Sequence, residues 1–388
     1  MEEAISRRLR VVVVGSGTHF LSGLSYYTWQ VANSLSCECD VSVVLMKALV
    51  PKFLYPGRRR VGEPLAAFAY DPGVQVFDGV NWWWVPSIVK AVRFLRRQRP
   101  EVVLMQWWTG AVAHSYLILA LAARLMGSKV LLEFHEAQDV SEARLPLARR
   151  YARFFMRRIL RLCSGIVVHS KFDSELVDNY YDLEDMPRVL IPHGPYDQYR
   201  SGGIGTRECT IDDFNVVFFG VIRPFKGLEH LVRAFGELTP QQVASIWMTV
   251  IGETWEGWTL PNELIDAHPY RDRITFVNRY VTDEELAAWL GGADLVVLPY
   301  LRSSSSGPLH AAMSMGLPVV ITSVGGLPEA AGSYEGVTFV EPGDVDAIKE
   351  AILHNVRLGI GRRYEDPHSW GDSRERYTGF FETVGRNL

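Results

Sequence analysis

A serine- and glycine-rich loop joins an apolar strand pattern, Leu295–Leu298, to the start of a short predicted helix. The first N–H groups of a helix have no partners inside the helix, and its dipole places partial positive charge there. Serine hydroxyls add donors, and a glycine lets the backbone come close to a ligand. The sequence therefore predicts an anion site that suits a phosphate or diphosphate. Its residues are Ser304, Ser305, Ser306, Gly307, Pro308 and Leu309.

Two cations follow the end of another predicted strand. Asn215–Phe219 runs into Gly220, and Arg223 and Lys226 stand before the next predicted helix. An arginine offers a fork that matches phosphate oxygens, and a lysine offers a mobile point charge. Cations near a helix start are mildly unfavourable unless an anion is close. A diphosphate held between these cations and the serine loop is therefore favoured over a solvated pair.

Strands and helices alternate in both halves of the chain, and these elements must position the loops. The first half opens with a strand at Arg8–Val14, a glycine-rich loop at Gly15–Gly23 and a helix at Leu24–Leu35, and the second half repeats this plan from Asn215. Such alternation, with nearly continuous apolar strands, indicates parallel sheets covered on both faces. The predicted fold is α/β, with two Rossmann-like domains facing each other across a cleft, where ligands usually bind.

The predicted domain boundaries are 1–195, 196–366 and 367–388, the last segment being a C-terminal helix. Pro192–Asp213 is rich in proline and glycine, breaks the alternation, and is interpreted as a flexible linker between the two domains.

Composition and charge are those of a globular protein with two domains. Of its 388 residues, 48% are hydrophobic and 22% charged. Residues 1–195 hold 24 Lys and Arg against 18 Asp and Glu, so the first half is basic although the whole chain carries a net charge of −4. A basic half is expected to face an anionic partner. Met1–Arg10 has no signal core, and the four cysteines lack the spacing of a zinc site or disulfide framework, so a cytoplasmic location is expected.

Residues 215–345 resemble the carboxyl-terminal domain of glycosyl transferases group 1, the retaining family four. The first half is similar more loosely, so the resemblance covers nearly the whole chain. The matching motifs of the second half are Phe219-Gly…Arg-Pro-Phe-Lys-Gly, Ala293-Asp-Leu-Val-Val-Leu-Pro-Tyr, Met313-Ser-Met-Gly-Leu-Pro-Val-Val, Val324-Gly-Gly-Leu-Pro-Glu and Glu341-Pro-Gly-Asp. Those of the first half are the Gly15–Gly23 loop, Phe134-His-Glu, Val167-Val-His-Ser-Lys and Ile191-Pro-His-Gly.

The resemblance implies a GT-B fold, a nucleotide-diphosphate sugar held by the second domain and an acceptor held by the first. It also implies transfer with retention at the anomeric carbon, no metal and no other cofactor, and a final helix near Trp370–Val384 that returns to the first domain. By resemblance, His135 contacts the donor sugar or the acceptor, and the loop with Gly17 and Thr18 lies near the transferring sugar. The predicted catalytic residues are His135, Arg223 and Lys226. Gly17, Gly220, Tyr280 and Glu329 join the loop residues as predicted donor-binding residues, and Thr18, Glu136 and Asp139 are predicted to bind the acceptor.

Several of these assignments have a structural alternative. Glu136 and Asp139 fit an exposed loop equally well, and Glu329 also fits a plain helix start. Asp344-Val-Asp346 follows Pro-Gly and precedes a helix, so Asp344 is predicted to cap that helix and not to bind a metal.

The chain departs from the family pattern at three positions. Ser303 and Ala311 stand where the family usually carries glutamates, and Val221 stands where it carries an arginine. The identity of the donor sugar and of its nucleobase therefore stays open, and a catalytically reduced sugar-nucleotide-binding or scaffold protein is the alternative function. A sugar-nucleotide epimerase on the same fold is a weaker hypothesis, since no residues of this sequence resemble that group's acid and base pattern.

A basic, aromatic helix pattern covers Arg149–Arg161, with arginines at every fourth position. The Lys52–Arg60 loop, Trp82–Trp84 and Trp107-Trp108 add basic and bulky apolar groups in the same domain. This composition suits an anionic membrane surface, and hence a peripheral enzyme at the inner face of a membrane with a lipid-linked acceptor. A solvated outer helix and a soluble carbohydrate acceptor are the alternative. No nucleic-acid partner is expected.

Overall fold

A computed structural model describes residues 7–17, 23–48, 68–81, 83–136, 146–200, 205–255 and 257–386. The chain divides into two compact units. The first unit comprises the chain up to Pro192 together with the segment from Trp370 onward, and the second unit comprises His193–Ser369. Among the described residues, no helix combines the length and apolarity needed to cross a bilayer.

The first unit is built on a parallel sheet of seven strands in the order β3-β2-β1-β4-β5-β6-β7. Successive strands run outward in both directions from the β1–β4 pair, where Val11 lies opposite Val102. The strands are β1 (Arg10–Ser16), β2 (Asp40–Ala48), β3 (Gln75–Asn81), β4 (Val102–Trp107), β5 (Lys129–Phe134), β6 (Gly165–Val168) and β7 (Arg188–Leu190).

Helices cover both faces of this sheet. Alternate residues of β1 point to opposite sides, so Val12 packs in one core with Ile88 and Met156, and Val13 packs in the other with Tyr377. The first core lies under four helices: α2 (Val85–Gln98), α3 (Ala113–Leu125), α4 (Pro146–Leu160) and α5 (Lys171–Tyr181). The second core lies under α1 (Gly23–Ser36) and the last helix of the chain.

The second unit has a parallel six-stranded sheet in the order β10-β9-β8-β11-β12-β13, and its direction changes between β8 and β11. The strands are β8 (Phe214–Phe219), β9 (Ile246–Ile251), β10 (Ile274–Val277), β11 (Leu295–Leu298), β12 (Val319–Thr322) and β13 (Val337–Val340). The helices are α6 (Leu228–Gly236), α7 (Pro240–Val243), α8 (Leu260–Asp266), α9 (Asp283–Gly291), α10 (Gly307–Ser314), α11 (Leu327–Ala331) and α12 (Val345–Leu358), and α13 (Trp370–Arg386) returns to the first unit.

The two Rossmann-like sheets confirm the predicted α/β fold. The edge strand β3 was not predicted, because most of its residues are exposed or half-buried and it lacks a continuous apolar pattern. The linker interpretation is wrong for the segment from Gly205: a Cβ there would lie 2.5 Å from the Gly292 nitrogen, and Thr206 N–H donates to the Ala288 carbonyl at 2.7 Å. Close backbone packing on α9 makes this segment part of the second unit. Residues 201–204 lie outside the described residues.

Candidate functional site

The predicted diphosphate residues of the second unit follow the carboxyl ends of β8 and β11, which are neighbouring strands of the sheet. Gly220 follows β8 with a φ of +113°, and a Cβ at that position would lie 3.2 Å from Cγ of Pro308. The end of β8 therefore lies against the start of α10. This edge is the point where the strand order of the sheet reverses, which is where open α/β sheets bind ligands.

The loop that carries the two cations is docked on the segment after β11. Pro224–Lys226 forms a 3₁₀ turn that ends at Gly227, whose φ is +64°. A Cβ on Gly227 would lie 2.0 Å from the Pro299 carbonyl oxygen, and the Leu301 N–H donates to the Phe225 carbonyl at 2.9 Å. Both the conformation and the close approach require glycine at position 227. This contact fixes the height of the cations above the sheet.

Both cations lie against aromatic rings. Lys226 Nζ is 3.7 Å from the ring centre of Tyr300, and the guanidinium carbon of Arg223 is 4.7 Å from that of Trp255. Burial raises the pKa of the Tyr300 phenol, so it stays neutral beside Lys226. Cation–π contact orients each charge beside its ring. The arrangement can present two positive groups to an anion.

Tyr300, which lies under Lys226, is hydrogen-bonded to Ser306 at the start of α10. The Ser306 hydroxyl donates to the Tyr300 oxygen at 3.3 Å and accepts from the Leu309 N–H at 3.2 Å, so Ser306 is the N-cap of the helix. Pro308 has no N–H, and the Leu309 N–H is engaged by this cap. The backbone N–H groups that could bind an anion at this helix start are therefore those of the residues before Pro308.

The remaining donor-side residues lie at other places on the second unit. The Ser303 hydroxyl donates to the Ser305 carbonyl at 2.6 Å, and Ser304 is half-buried in the same loop. Tyr280 is half-buried beyond β10, two strands away from β8, and Glu329 is exposed in the first turn of α11. Of the predicted second-unit residues, Gly220 after β8 and Pro308 after β11 lie against each other, and Arg223 and Lys226 contact Trp255 and Tyr300.

His135 directly follows β5 in the first unit and is buried. Its Nδ1 lies 3.2 Å from Nε2 of His169, and Nδ1 of His169 lies 2.8 Å from the Ile191 carbonyl oxygen. Burial, and then the neighbouring His169, hold the pKa of His135 well below its ordinary value. A carbonyl only accepts, so His169 carries a proton on Nδ1 and donates it to Ile191. The contact between Nδ1 of His135 and Nε2 of His169 holds the two rings in a fixed relative orientation.

A buried carboxylate lies beside the two imidazoles. Glu133 accepts from Tyr27 Oη at 2.9 Å, from Gln106 Nε2 at 3.1 Å and from Tyr377 Oη. Its oxygens lie 3.9 and 3.8 Å from the Nε2 atoms of His135 and His169. Tyr377 belongs to α13, so this carboxylate also fastens the last helix to the first unit.

Gly17 closes the end of β1, since its N–H donates to the Met46 carbonyl at 3.1 Å and a Cβ would lie 2.7 Å from that oxygen. Glu136 is exposed. Thr18 and Asp139 lie outside the described residues. His169 and Glu133 carried no role in the sequence analysis, although each is the polar residue at the end of an apolar strand, which is the signal that could have found them.

The sequence matches two family models. Residues 213–357 match the model of glycosyl transferases group 1, and residues 22–194 match that of a glycosyl transferase 4-like domain. The chain belongs to the group 1 glycosyltransferases. The resemblance seen in the motifs is thereby confirmed.

Curated relatives of this glycosyltransferase are distant. An MMP alpha-(1->4)-mannosyltransferase of Mycolicibacterium hassiacum is 28% identical over 58% of this chain and 56% of that protein. A D-inositol 3-phosphate glycosyltransferase of Pseudarthrobacter chlorophenolicus is 26% identical over 63% of this chain and 60% of its own. The chain thus spans less than two thirds of the length of these relatives.

Solved structures share the fold of this glycosyltransferase. Sucrose-phosphate synthase from Thermosynechococcus elongatus superposes with a TM-score of 0.63 at 16% identity, over 98% of this chain and 97% of that one. Anabaena Alr3699/HepE in complex with UDP and glucose gives 0.62 at 14% identity, over 98% and 99%. At these identities the likeness establishes the fold alone.

The Asp344-Val-Asp346 segment of this glycosyltransferase has a structural role, as predicted. Asp344 Oδ1 accepts from the Ala347 N–H at 2.8 Å and caps α12, and Asp346 pairs with Lys349 at 2.7 Å.

Proposed function

We propose that this protein transfers a sugar from a nucleotide-diphosphate sugar to an acceptor hydroxyl, with retention at the anomeric carbon and without a metal ion. The observation that supports the proposal is the edge of the second sheet at β8 and β11. Arg223 and Lys226 follow β8 there, and the start of α10 follows the neighbouring strand β11. This is a preorganised positive site at a place where parallel sheets bind ligands.

The chemistry follows from the charges. The bond between the anomeric carbon and the diphosphate oxygen breaks, and its electron pair goes to the leaving nucleoside diphosphate. The acceptor oxygen forms a new bond to that carbon, and its proton passes to the leaving diphosphate. Negative charge grows on the diphosphate, so cations fixed in advance stabilise the transition state more than the ground state. Lys226 and Arg223 supply this charge in the proposal, and amide donors before Pro308 supplement it.

The first unit supplies the acceptor side in this proposal. His135, held neutral by burial, contacts the donor sugar or the acceptor, and Gly17, Thr18, Glu136 and Asp139 line that side. The acceptor is a carbohydrate or a lipid-linked sugar, and the product belongs to a cell-surface glycan or glycolipid. Relatives named for mannosyl transfer and for D-inositol 3-phosphate support a sugar-like acceptor. The cytoplasmic location stays a prediction.

The test is release of nucleoside diphosphate from a panel of UDP-, GDP- and ADP-sugars, with and without candidate acceptors. Turnover of one donor, unchanged by EDTA, and a product with the donor's anomeric configuration by NMR are the expected results. An inverted product refutes retention, and loss of activity with EDTA that a divalent cation restores refutes metal independence.

The catalytically reduced alternative rests on Ser303 and Ala311, which replace carboxylates that the family usually carries. Neither side chain carries a charge, and Ala311 is buried. Tight binding of one nucleotide sugar, with no transfer to any acceptor of the panel, would favour this alternative.

A further inference from the structure

Four helices cover one face of the first sheet, and three of them, α2, α3 and α4, carry no acidic residue. The fourth, α5, carries Asp173, Glu175 and Asp178. The sequences of the other three are VPSIVKAVRFLRRQ in α2, AHSYLILALAARL in α3 and PLARRYARFFMRRIL in α4. Each basic side chain among them is exposed: Lys90, Arg93, Arg96, Arg97, Arg124, Arg149, Arg150, Arg153, Arg157 and Arg158. The surface of an ordinary globular domain mixes both signs of charge. The part of this face formed by α2, α3 and α4 is therefore unusually positive.

Large apolar side chains on the same helices also point outward. Ile118, Leu121 and Leu125 form one stripe of α3, and Leu125 is 81% exposed. The opposite side of α3, including Tyr116 and Leu119, is fully buried on the sheet. An amphipathic surface helix would carry polar residues on its outer stripe, so the packing of the sheet does not explain these three.

The apolar stripe lies between basic helices, because α3 contacts both α2 and α4. The neighbouring helices add apolar groups of their own: Val85 and Trp84 at the start of α2 are 63% and 57% exposed, and Leu147 at the start of α4 is 81% exposed. Phe154 of α4 is half exposed, with the Arg158 guanidinium carbon 3.5 Å from its ring centre. Apolar and cationic groups are thus interleaved across this part of the face.

We propose that this surface, formed by α2, α3 and α4, binds the face of an anionic lipid bilayer. The arginines of α2 and α4 meet lipid phosphates, and Ile118, Leu121 and Leu125 enter the region between headgroups and acyl chains. Charge complementarity selects this partner. The same surface of a second copy would oppose positive charge with positive charge, and a nucleic-acid backbone offers no apolar counterpart to the α3 stripe. The inference goes beyond the proposed function and does not depend on any activity.

Flotation of the full-length protein with vesicles tests the inference. The vesicles are phosphatidylcholine alone, or phosphatidylcholine with an equal part of phosphatidylglycerol. We expect binding to the anionic vesicles that weakens with added salt, and little binding to the neutral ones. No binding to anionic vesicles at low salt overturns the proposal.

Two triple variants locate the surface. Replacing Arg149, Arg153 and Arg157 with Gln should weaken partitioning about 100-fold, and replacing Ile118, Leu121 and Leu125 with Gln about 10-fold or more. The matched controls change exposed residues of the second unit. These controls are Arg233, Arg271 and Arg357 to Gln, and Ile211, Leu358 and Ile360 to Gln.

Each remaining outcome overturns a stated part of the proposal. Equal losses in variants and controls place the lipid contact elsewhere. Loss with the arginine variant alone excludes entry of α3 into the bilayer. Displacement of the protein from vesicles by a DNA duplex at the same ionic strength, or a dimer that the α3 variant dissociates, assigns the surface to nucleic acid or to a second copy. Circular dichroism of all variants excludes unfolding as the cause.

Discussion

Nδ1 of His135 lies 3.2 Å from Nε2 of His169, so one imidazole orients the other. The Ile191 carbonyl accepts from Nδ1–H of His169 at 2.8 Å and so holds the His169 ring in place. The rings are buried with centroids 4.7 Å apart, and Tyr27 packs edge-on to His135 at 4.7 Å. His169 is therefore expected to act as a positioning residue for His135.

Replacing His169 with Leu should lower kcat by about 10- to 100-fold, because the hydrogen bond that orients the His135 ring is lost. His169→Gln should retain most activity, since an amide can hydrogen-bond to His135 and donate to Ile191. Steady-state kinetics and imidazole ¹⁵N chemical shifts of His135 provide the measurements. Equal activity of the Leu and Gln variants, with unchanged His135 chemical shifts, would contradict the positioning role.

Replacing Lys226 with Ala should lower kcat/KM about 100- to 1000-fold, because the same cation binds the diphosphate and stabilises its growing charge. Lys349→Ala is the matched control, since Lys349 is a paired lysine of α12 on the same unit. Donor turnover and donor binding by calorimetry are measured for both. A Lys226→Ala enzyme as active as the control would refute the proposed diphosphate site.

Gly227→Ala and Gly257→Ala differ chiefly in the space around the new Cβ. Both glycines have φ near +65°, but the Cβ at 227 would lie 2.0 Å from the Pro299 carbonyl oxygen, while that at 257 would meet no atom of the described residues within 4 Å. We expect a cost of about 1 kcal/mol at 257 and a larger one, about 2–4 kcal/mol, at 227. Urea unfolding measures both, and equal costs would show that the loop does not dock as described.

Tyr377→Phe should destabilise the attachment of α13 by about 1.5–3 kcal/mol, because a buried carboxylate loses a donor. Tyr334→Phe removes a buried hydroxyl that donates to the neutral Leu317 carbonyl, and should cost only about 0.5–1.5 kcal/mol. Hydrogen exchange of α13 and limited proteolysis report the first effect. Unchanged exchange in α13 would argue against Glu133 as its anchor.

Acid should destabilise the first unit through His135. Its folded pKa is held well below the ordinary 6.5, so below about pH 6.5 the unfolded chain binds a proton that the folded chain does not. The stabilisation is therefore present above that pH and is lost as the pH falls, by up to about 1.4 kcal/mol per pH unit. The free energy of unfolding, measured in urea between pH 7.5 and 5.5, should fall more steeply with falling pH for the wild type than for His135→Gln. Parallel plots of this free energy against pH would mean that the pKa of His135 is not lowered in the folded protein.

Much of the second unit could be predicted from local pattern. The apolar strands β8 and β11 and the residues that follow them, Gly220, Lys226 and Ser306, all stand within short segments whose order implies one sheet edge. What the pattern could not give is the contact that orients Lys226, because the Tyr300 ring comes from a segment far along the chain. The pattern also could not show that the Ser306 hydroxyl is hydrogen-bonded to the Leu309 N–H as the N-cap of α10.

The sequence by itself determined the alternation of strands and helices, the two sheets, and the residue types at their carboxyl ends, because these depend on periodicity and on neighbours a few positions apart. Only the tertiary structure decided which side chains meet. Glu133 and Tyr377 are 244 residues apart, and His169 reaches His135 from the next strand. The basic surface of α2, α3 and α4 likewise exists only because three separate helices pack on one face of a sheet. Contacts of this range depend on the packed fold and leave no local pattern in the chain.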